Sequence, residues 1–412
     1  MSEPVFRTYD PERDRDGVAR VWREVGWIDT KDHEEAMDVF LEANANRVAT
    51  VDGSVESFVS SGPGRLRYLD EELPLSCITA VTTSRMARRL GLARGLLARA
   101  LAEDVRRGAI VTELGMFDQG FYDRLGFGTG ALEVSYTFDP ASLVDTGEPR
   151  VPARLGKEDW ESVHASRLAR RRLHGSVNIA RAAMTRAEMM WSEHGFGFGY
   201  HGEDGTLSHH AWVSTKDVES GPYSLWWTSF RTREELLELL AVVRSWSDQV
   251  PLVRFREPPG IHFQDLLRRP FRSRMLTKDG KYAVRVSAGA YSQVRILDLA
   301  ACIEHTHLEE ADVSFNLALH DPIRDHLPPD NPWPGLSGDY VVTLGRSSTA
   351  RHGTDAKLPR LRASIGAFSR LWLGARSASS LAWTDDLDGP PELLRALDRS
   401  LRLPAPHPDW DF

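Results

Sequence analysis

Cysteine and long apolar runs are both scarce in this chain. Only Cys77 and Cys302 of its 412 residues are cysteines, and both lie in apolar stretches, so we expect two buried, reduced thiols rather than a disulfide. No run of about 18 apolar residues occurs, which predicts no membrane span, and the first residues have no apolar signal core. These absences argue against a secreted disulfide-stabilised domain and an integral membrane protein, and they predict a cytoplasmic location.

Positive charge is also in deficit. The 51 lysines and arginines are outnumbered by 59 acidic residues, which gives a formal net charge of −8. This balance argues against a general nucleic-acid binder and favours a cationic partner. The basic run at residues 167–173 follows an amphipathic helical pattern and is interpreted as a solvated face. The pairs His209-His210 and His305-x-His307 lack the further ligands of a zinc site, so we assign no metal.

Length and patterning predict an α/β protein of about three domains. Hydrophobic residues make up 41% and charged residues 27% of the chain, an ordinary globular balance. Turn-rich stretches and changes of pattern divide the chain into domains that we place at residues 1–150, 151–285 and 286–412. Aromatic residues close the chain at 410–412, which predicts that its end packs against the protein.

The sequence around Gly91 predicts a strand, a tight turn and a helix. The β-branched run at residues 78–83 is typical of a buried strand, and apolar positions with helical spacing extend from Ala93 to Leu101. Between them lies Arg88-x-x-Gly91-x-Ala93. A helix that begins here leaves its first N–H groups without partners, and small residues let an anion approach them. The stretch therefore predicts a phosphate-binding turn.

A second motif, Phe121-Tyr122-x-x-x-Gly126-Phe127, follows the next predicted strand, and its tyrosine lies 31 residues after Gly91. A phenol has an ordinary pKa of about 10, so it stays protonated at neutral pH and can give a proton to a departing group. The alternative is an ordinary half-buried helix tyrosine. Its place behind the phosphate turn favours the catalytic interpretation.

The two motifs resemble motif A, Arg/Gln-x-x-Gly-x-Gly/Ala, and the tyrosine segment of the GNAT acetyltransferases. Over nearly its full length the chain also resembles the enhanced intracellular survival (Eis) acetyltransferases, most specifically in the run from Phe368 to Ala382 and at the terminal Phe412. Two positions depart from that pattern: Arg85 stands where proline is usual, and Leu90 stands where arginine is usual.

The resemblance implies a fold, an assembly and a cosubstrate. It implies a GNAT catalytic domain, a second GNAT-like domain that has lost the cofactor site, and a C-terminal sterol-carrier-protein-like domain, assembled as a homo-hexamer. It implies acetyl-CoA as cosubstrate, with Tyr122 as general acid and the C-terminal carboxylate of Phe412 as general base. The residues expected at the cofactor are Val81, Thr82, Thr83, Arg88, Arg89, Leu90, Gly91, Leu92, Ala93, Arg94, Phe117 and Asp118.

The acceptor is expected to be a cationic small-molecule amine, and the family points to aminoglycosides. It would be attracted by the terminal carboxylate, Asp411 and Asp29, and flanked by Trp27 and Trp410. An α-carboxylate alone is a weak base for an ammonium group, since a gap of about 6 to 7 pKa units costs about 9 kcal/mol, so its role is orienting and charge-stabilising. Two alternatives stay open: a non-enzymatic lipid- or ligand-binding protein, and a protein-lysine acetyltransferase.

Overall fold

The computed structural model describes residues 3–144, 147–268, 284–309 and 312–412 as a mixed α/β protein with three sheets. The predicted α/β class is confirmed. None of the described helices is long and apolar enough to cross a bilayer. Cys77 and Cys302 are free, buried thiols, as expected, and burial raises the pKa of each.

The elements are given in chain order. The first part of the chain forms β1 Val5–Thr8, α1 Pro11–Glu24, α2 Lys31–Ala43, β2 Ala45–Val51, β3 Ser54–Tyr68, β4 Glu71–Thr83, α3 Leu92–Arg106, β5 Val111–Gly115, α4 Gln119–Asp123, β6 Gly128–Thr129 and β7 Glu133–Phe138. The middle part forms β8 Ala153–Leu155, α5 Trp160–Ala169, β9 Val177–Ile179, α6 Ala182–Trp191, β10 Phe196–His201, β11 Leu207–Ser214, β12 Tyr223–Ser229, α7 Arg233–Ser245 and β13 Val253–Arg256. The last part forms β14 Arg285–Gly289, β15 Ser292–Ile296, α8 Leu299–Glu304, β16 Val313–His320, β17 Gly338–Leu344, β18 Thr349–His352, β19 Arg360–Ser364, α9 Ile365–Trp372, α10 Ala378–Thr384, β20 Leu387–Asp388 and α11 Pro391–Ser400.

The first two sheets take strands from distant parts of the chain, whereas the third does not. The first has the order β1-β2-β3-β4-β5-β15-β6, with β9 paired to β3, and the second has the order β14-β7-β13-β12-β11-β10-β8. The third has the order β18-β17-β16-β19-β20. Strand β7 belongs to the first part of the chain but pairs within the second sheet. Strand β15 belongs to the last part of the chain but pairs within the first sheet. The domain limits at residues 150 and 285 stay predictions, and strand pairs such as β7 with β13 and β5 with β15 join residues on opposite sides of them.

The basic run at residues 167–173 is not a solvated face, so that interpretation is wrong. Arg167 and Arg170 are only 4% and 9% exposed. The Arg167 guanidinium lies 3.7 Å from the ring centre of Trp410 and donates a hydrogen bond to Glu188. Arg170 forms two hydrogen bonds, of 2.6 and 2.9 Å, with the carboxylate of Asp409. These arginines hold the C-terminal tail, residues 403–412, which is why helical periodicity alone misassigned them.

A buried ion pair joins the third sheet to the first. Arg295 on β15 and Asp321 after β16 are both fully buried, with a nitrogen-to-oxygen distance of 2.6 Å. Burial favours the neutral acid, but the guanidinium and the backbone N–H groups of Ile323 and Leu336 together outweigh burial and lower the pKa of Asp321. Arg295 also donates to the carbonyl of Leu125, 2.8 Å away, which follows α4. The pair therefore couples the third sheet to the segment that holds Tyr122.

Asp321→Asn should lower the free energy of unfolding by about 3 kcal/mol, because it leaves a buried guanidinium without a counter-charge. Urea unfolding monitored by tryptophan fluorescence measures this change. The matched control is Asp339→Asn, which removes an exposed partner of Arg360 and should change stability by less than about 0.5 kcal/mol. Equal effects of the two substitutions would contradict this interpretation.

Candidate active site

The site begins where β4 and β5 separate. The two strands are parallel and paired from Leu75 with Val111 to Ile78 with Leu114. Strand β4 then continues to Thr83 with no partner on that edge among the described residues. Ala80 has a φ of +51°, and the register of β3 against β4 shifts beside it, which marks a β-bulge. The bulge and the separation together leave backbone groups of β4 facing an opening.

The turn after β4 presents a helix N-terminus to the same opening. Gly91 precedes α3 with a φ of +76° and offers no side chain to cap the first N–H groups. A Cβ added at this position would meet nothing within 4 Å. The N-terminus of helix α7, which follows strand β12 of the second sheet, is capped, because Thr232 and Glu235 form a capping box there. Only the α3 terminus of this pair is thus free to bind an anion.

A cavity of about 1030 Å³ lies over this turn, and we call it the α3 cavity. Four of its lining residues are arginines, which matches an anionic ligand. All of the cofactor residues expected from the sequence line it except Leu90. Sequence reasoning missed Arg124, which lies inside the tyrosine motif and also lines it. The full lining is Val25, Trp27, Val81, Thr82, Thr83, Ala87, Arg88, Arg89, Gly91, Leu92, Ala93, Arg94, Phe117, Asp118, Phe121 and Arg124.

Tyr122 lies on the short helix α4 beside the end of β5. Asp118 caps this helix by accepting a hydrogen bond from the N–H of Gly120. The ring of Tyr122 is 2% exposed and packs edge-on against Phe117, Phe121 and Phe127. Burial, and secondarily the charge of Asp118, raises the pKa of Tyr122. The phenol therefore stays protonated at physiological pH, as a general acid requires.

Strand β15 fixes the position of α4. The side-chain amide of Gln293 donates to Asp123 at 2.7 Å, and Arg295 donates to the carbonyl of Leu125 at 2.8 Å. Within the described residues the hydroxyl of Tyr122 has no hydrogen-bond partner, and Tyr122 does not itself line the α3 cavity, although its neighbours Phe121 and Arg124 do. The sequence predicted the tyrosine but not these contacts, because β15 lies some 170 residues further along the chain.

The end of the chain reaches the same place from the other side. A Cβ added at Gly115, the last residue of β5, would lie 3.3 Å from the main-chain oxygen of Phe412. Arg256 fixes the preceding residue through hydrogen bonds of 2.6 and 3.0 Å to Asp411, and it also pairs with Glu133. The tail is packed against the protein, as its aromatic ending predicts.

A second cavity of about 620 Å³ opens beside the tail between the first and second sheets, and we call it the tail cavity. The acidic groups on its lining are Glu113, Glu133, Asp411 and the terminal residue Phe412. Burial raises the pKa of Glu113 to about 8, and burial outweighs Arg256 to raise the pKa of Glu133. Neither glutamate was predicted. The signal for Glu113 was a lone carboxylate inside the apolar strand β5.

The four residues expected at the acceptor do not converge on one cavity. Trp27 lines the α3 cavity, and the side chain of Asp29 is 77% exposed and pairs with His33 at 2.7 Å. Trp410 and Asp411 line the tail cavity. They also line a smaller cavity of about 260 Å³ beside Trp410. Among the described residues, no cluster of three or more His, Cys, Asp or Glu could hold a metal ion.

Comparison with known proteins agrees with this geometry. Residues 7–130 match the family model of the acetyltransferase (GNAT) domain, and residues 301–408 match that of the sterol carrier protein domain. The chain therefore contains a GNAT acetyltransferase domain and ends in a sterol-carrier-protein-like domain. No curated protein sequence matches the chain.

Solved structures extend the likeness over the whole chain. A probable N-acyltransferase from Enterococcus faecalis has a TM-score of 0.79 at 17% identity and covers 100% of both chains. A GCN5-related N-acetyltransferase from Kribbella flavida has a TM-score of 0.74 at 18% identity over 99% of each. Eis1 from Mycobacterium abscessus has a TM-score of 0.75 at 15% identity over 100% of each. These likenesses show that the chain shares its overall fold with these proteins, an Eis protein among them, and together with the GNAT domain match they confirm the resemblance seen in the sequence.

Gly91→Ala should weaken CoA binding at least tenfold, about 1.4 kcal/mol, because the added methyl group strains a left-handed residue and faces the α3 cavity. Isothermal titration calorimetry with CoA measures the affinity. Gly53→Ala is the matched control, since Gly53 has a φ of +80° and equally open space but lies in a hairpin turn. A loss of affinity in both variants, or in neither, would contradict the placement of the phosphates.

Proposed function

We propose that this chain transfers the acetyl group of acetyl-CoA to an amine of a cationic small molecule. The observation that carries the proposal is the seating of Phe412 against Gly115. It brings the terminal carboxylate to the point where β4 and β5 separate. Tyr122 lies on the helix that follows β5, and we therefore assign the acid and the carboxylate to opposite sides of this opening.

The α3 cavity fits acetyl-CoA. Its pyrophosphate would accept hydrogen bonds from the free N–H groups at residues 92–94, with Arg88, Arg89 and Arg124 supplying positive charge. The acetyl carbonyl would lie along the unpaired edge of β4 at residues 81–83, where backbone N–H groups stabilise the developing oxyanion. The uncapped α3 terminus is the structural support for this placement.

The chemistry is a direct attack without a covalent enzyme intermediate. The amine nitrogen forms a bond to the acetyl carbon, and the carbon–sulfur bond then breaks. The leaving thiolate takes a proton from Tyr122, whose raised pKa keeps that proton in place until it is needed. The terminal carboxylate of Phe412 orients the amine and receives a proton from the nitrogen. Exchange between carboxyl and phenolate restores both groups.

The lining of the tail cavity carries three acidic side chains and the terminal residue beside Arg254, Arg256 and Arg285, and its carboxylates are the groups that would bind the amines of a cationic acceptor. The cavity volume of about 620 Å³ accommodates a small molecule such as an aminoglycoside. The Eis-like fold adds to this choice. We extend the proposal to a homo-hexamer in the cytoplasm. Light scattering coupled to size-exclusion chromatography would test the number of subunits.

A thiol-release assay separates this function from its alternatives. Acetyl-CoA is offered with aminoglycosides, polyamines or lysine peptides, and free thiol is measured. Release that depends on a small amine supports the proposal. Release with lysine peptides alone would point to a protein acetyltransferase. No release, together with lipid found in native mass spectra, would point to a binding protein.

Tyr122→Phe should lower kcat about 100-fold, the usual scale for one general acid, and leave the free energy of unfolding unchanged. No hydrogen bond is lost within the described residues. Steady-state thiol release and urea unfolding measure the two effects. The control is Tyr340→Phe, which removes a hydrogen bond to the Leu336 carbonyl, lies outside the linings of both cavities and should keep full activity. Unchanged kcat in Tyr122→Phe would refute the acid role.

Moving the terminal carboxylate should abolish most turnover. Deleting Phe412 withdraws the carboxylate by one residue, about 3.5 Å, and adding one glycine pushes it past Gly115. Each change should lower kcat more than about 100-fold without altering CoA affinity, measured by steady-state kinetics and calorimetry.

Phe412→Leu is the matched control for these tail variants, because it keeps the carboxylate in place and should retain most activity. If the deleted and extended chains turned over like the parent protein, the terminal carboxylate would have no part in the reaction.

A further inference from the structure

Glu113 is a buried carboxylate that the proposed mechanism does not yet use. Its side chain is 3% exposed and lines the tail cavity. Among the residues that the structure describes, its buried Oε2 has no hydrogen-bond partner. An unpartnered buried carboxylate oxygen is costly, so its presence on the wall of a cavity points to a ligand that supplies the missing donor.

The position of Glu113 relates it to the chain terminus. Glu113 and Gly115 are two residues apart on β5, so their side-chain positions share one face and are separated by about 7 Å. Phe412 packs over Gly115. Leu114, between them, belongs instead to the core that contains Tyr122. The glutamate and the terminal carboxylate therefore face the tail cavity together, on the side opposite the core of α3.

Proton balance requires an acceptor there. An ammonium group must lose one proton before it can attack and a second when its nitrogen becomes an amide. The second proton ends on the CoA sulfur, through the exchange between the Phe412 carboxyl and the Tyr122 phenolate. The first proton is released to solvent, and neither Phe412 nor Tyr122 takes it up.

We propose that Glu113 binds the incoming ammonium through its free Oε2 and takes its first proton before attack. This proposal rests on the acetyl-transfer function proposed above. Once the ammonium gives up that proton, the neutral amine forms its bond to the acetyl carbon, and Glu113 later releases the proton to solvent. The donor that Oε2 lacks is thus the N–H of the acceptor.

The surroundings of Glu113 suit this role. Burial raises its pKa most, the charge of Glu133 adds to the rise, and the Ser292 side chain opposes it. The resulting value of about 8 is within about 2 units of an alkyl ammonium, far closer than an α-carboxyl at about 3.5. The groups that act on Glu113 are Glu133 from β7, Ser292 from β15 and Asp409 from the tail, with the thiol of Cys77 from β4. Arg256 from β13, Arg285 from β14 and the terminal residue line the same cavity.

The pH profile gives the first test. A base must be deprotonated to act, so kcat/KM for the parent protein should rise as pH rises through about 8. Glu113→Gln should lower kcat/KM at pH 7 about 100-fold and move this limb up toward the pKa of the acceptor itself. Glu113→Asp, which keeps a carboxylate, should recover part of the rate.

The control is Asp104→Asn. Asp104 is also a buried carboxylate of the first domain, but Ser61 and Ser76 donate hydrogen bonds to it and it lines neither the α3 cavity nor the tail cavity. This variant should keep the parent pH profile even if its stability falls. CoA affinity should be unchanged in Glu113→Gln, which shows that the α3 cavity is intact.

A binding measurement tests the site without turnover. Calorimetry of kanamycin, used as a cation probe, is run at pH 7 on the CoA-bound protein in buffers of different ionisation enthalpy. Binding should drive Glu113 to ionise and release up to one proton, and Glu113→Gln should release about one fewer. The same proton release and pH profile in both proteins would overturn the proposal. Dependence on Glu113 without any thiol release would leave the cation site standing and refute acetyl transfer instead.

Discussion

The arginines that hold the C-terminal tail are the constraint on which this site depends. A terminal carboxylate can serve a reaction only if the residues before it are fixed. Asp409, Trp410 and Asp411 are each held by a guanidinium, from Arg170, Arg167 and Arg256 respectively. The pair of Arg170 with Asp409 is less than a tenth exposed. Removing one partner of a buried pair costs several kcal/mol, so the tail has one strongly preferred position.

This constraint explains what the second and third sheets contribute. The second has no free helix terminus at α7, because a capping box satisfies it. Instead, Arg167 on α5, Arg170 just after α5 and Glu188 on α6 hold the tail. The stretch that precedes the third sheet forms β15, whose side chains hold α4 and thereby Tyr122 in place. The second sheet thus positions the tail, which lies outside the GNAT domain, and β15 positions a helix inside it.

Local features of the site could be predicted from the sequence. Gly91 and Tyr122 are encoded by short motifs whose geometry depends on a few adjacent residues, and the terminal aromatics indicated a packed tail. The burial of Arg167 and Arg170 could not be predicted, because their partners lie about 240 residues away in the tail or on another helix. A helical pattern indicates which face of a helix is apolar. It does not indicate that the ring of Trp410 packs over the guanidinium of Arg167.

The same limit applies to strand exchange and to Glu113. The placement of β15 between β5 and β6 depends on pairing across some 180 residues, and a reading of neighbouring elements assigns it to the wrong sheet. Glu113 looks like an isolated acid within an apolar strand, and its role emerges only when the tail closes the cavity above it. The β-bulge at Ala80 could not be predicted from the sequence either, since alanine rarely adopts a positive φ.

The central claim is that the last carboxylate of the chain meets the acceptor amine at the opening between β4 and β5. A crystal structure of the protein with CoA and a slowly reacting amine bound tests it most directly. The account predicts an amine nitrogen about 3 Å from an oxygen of the Phe412 carboxylate and beside the CoA sulfur. A tail that points into solvent, or an amine bound away from the terminal carboxylate, would contradict it.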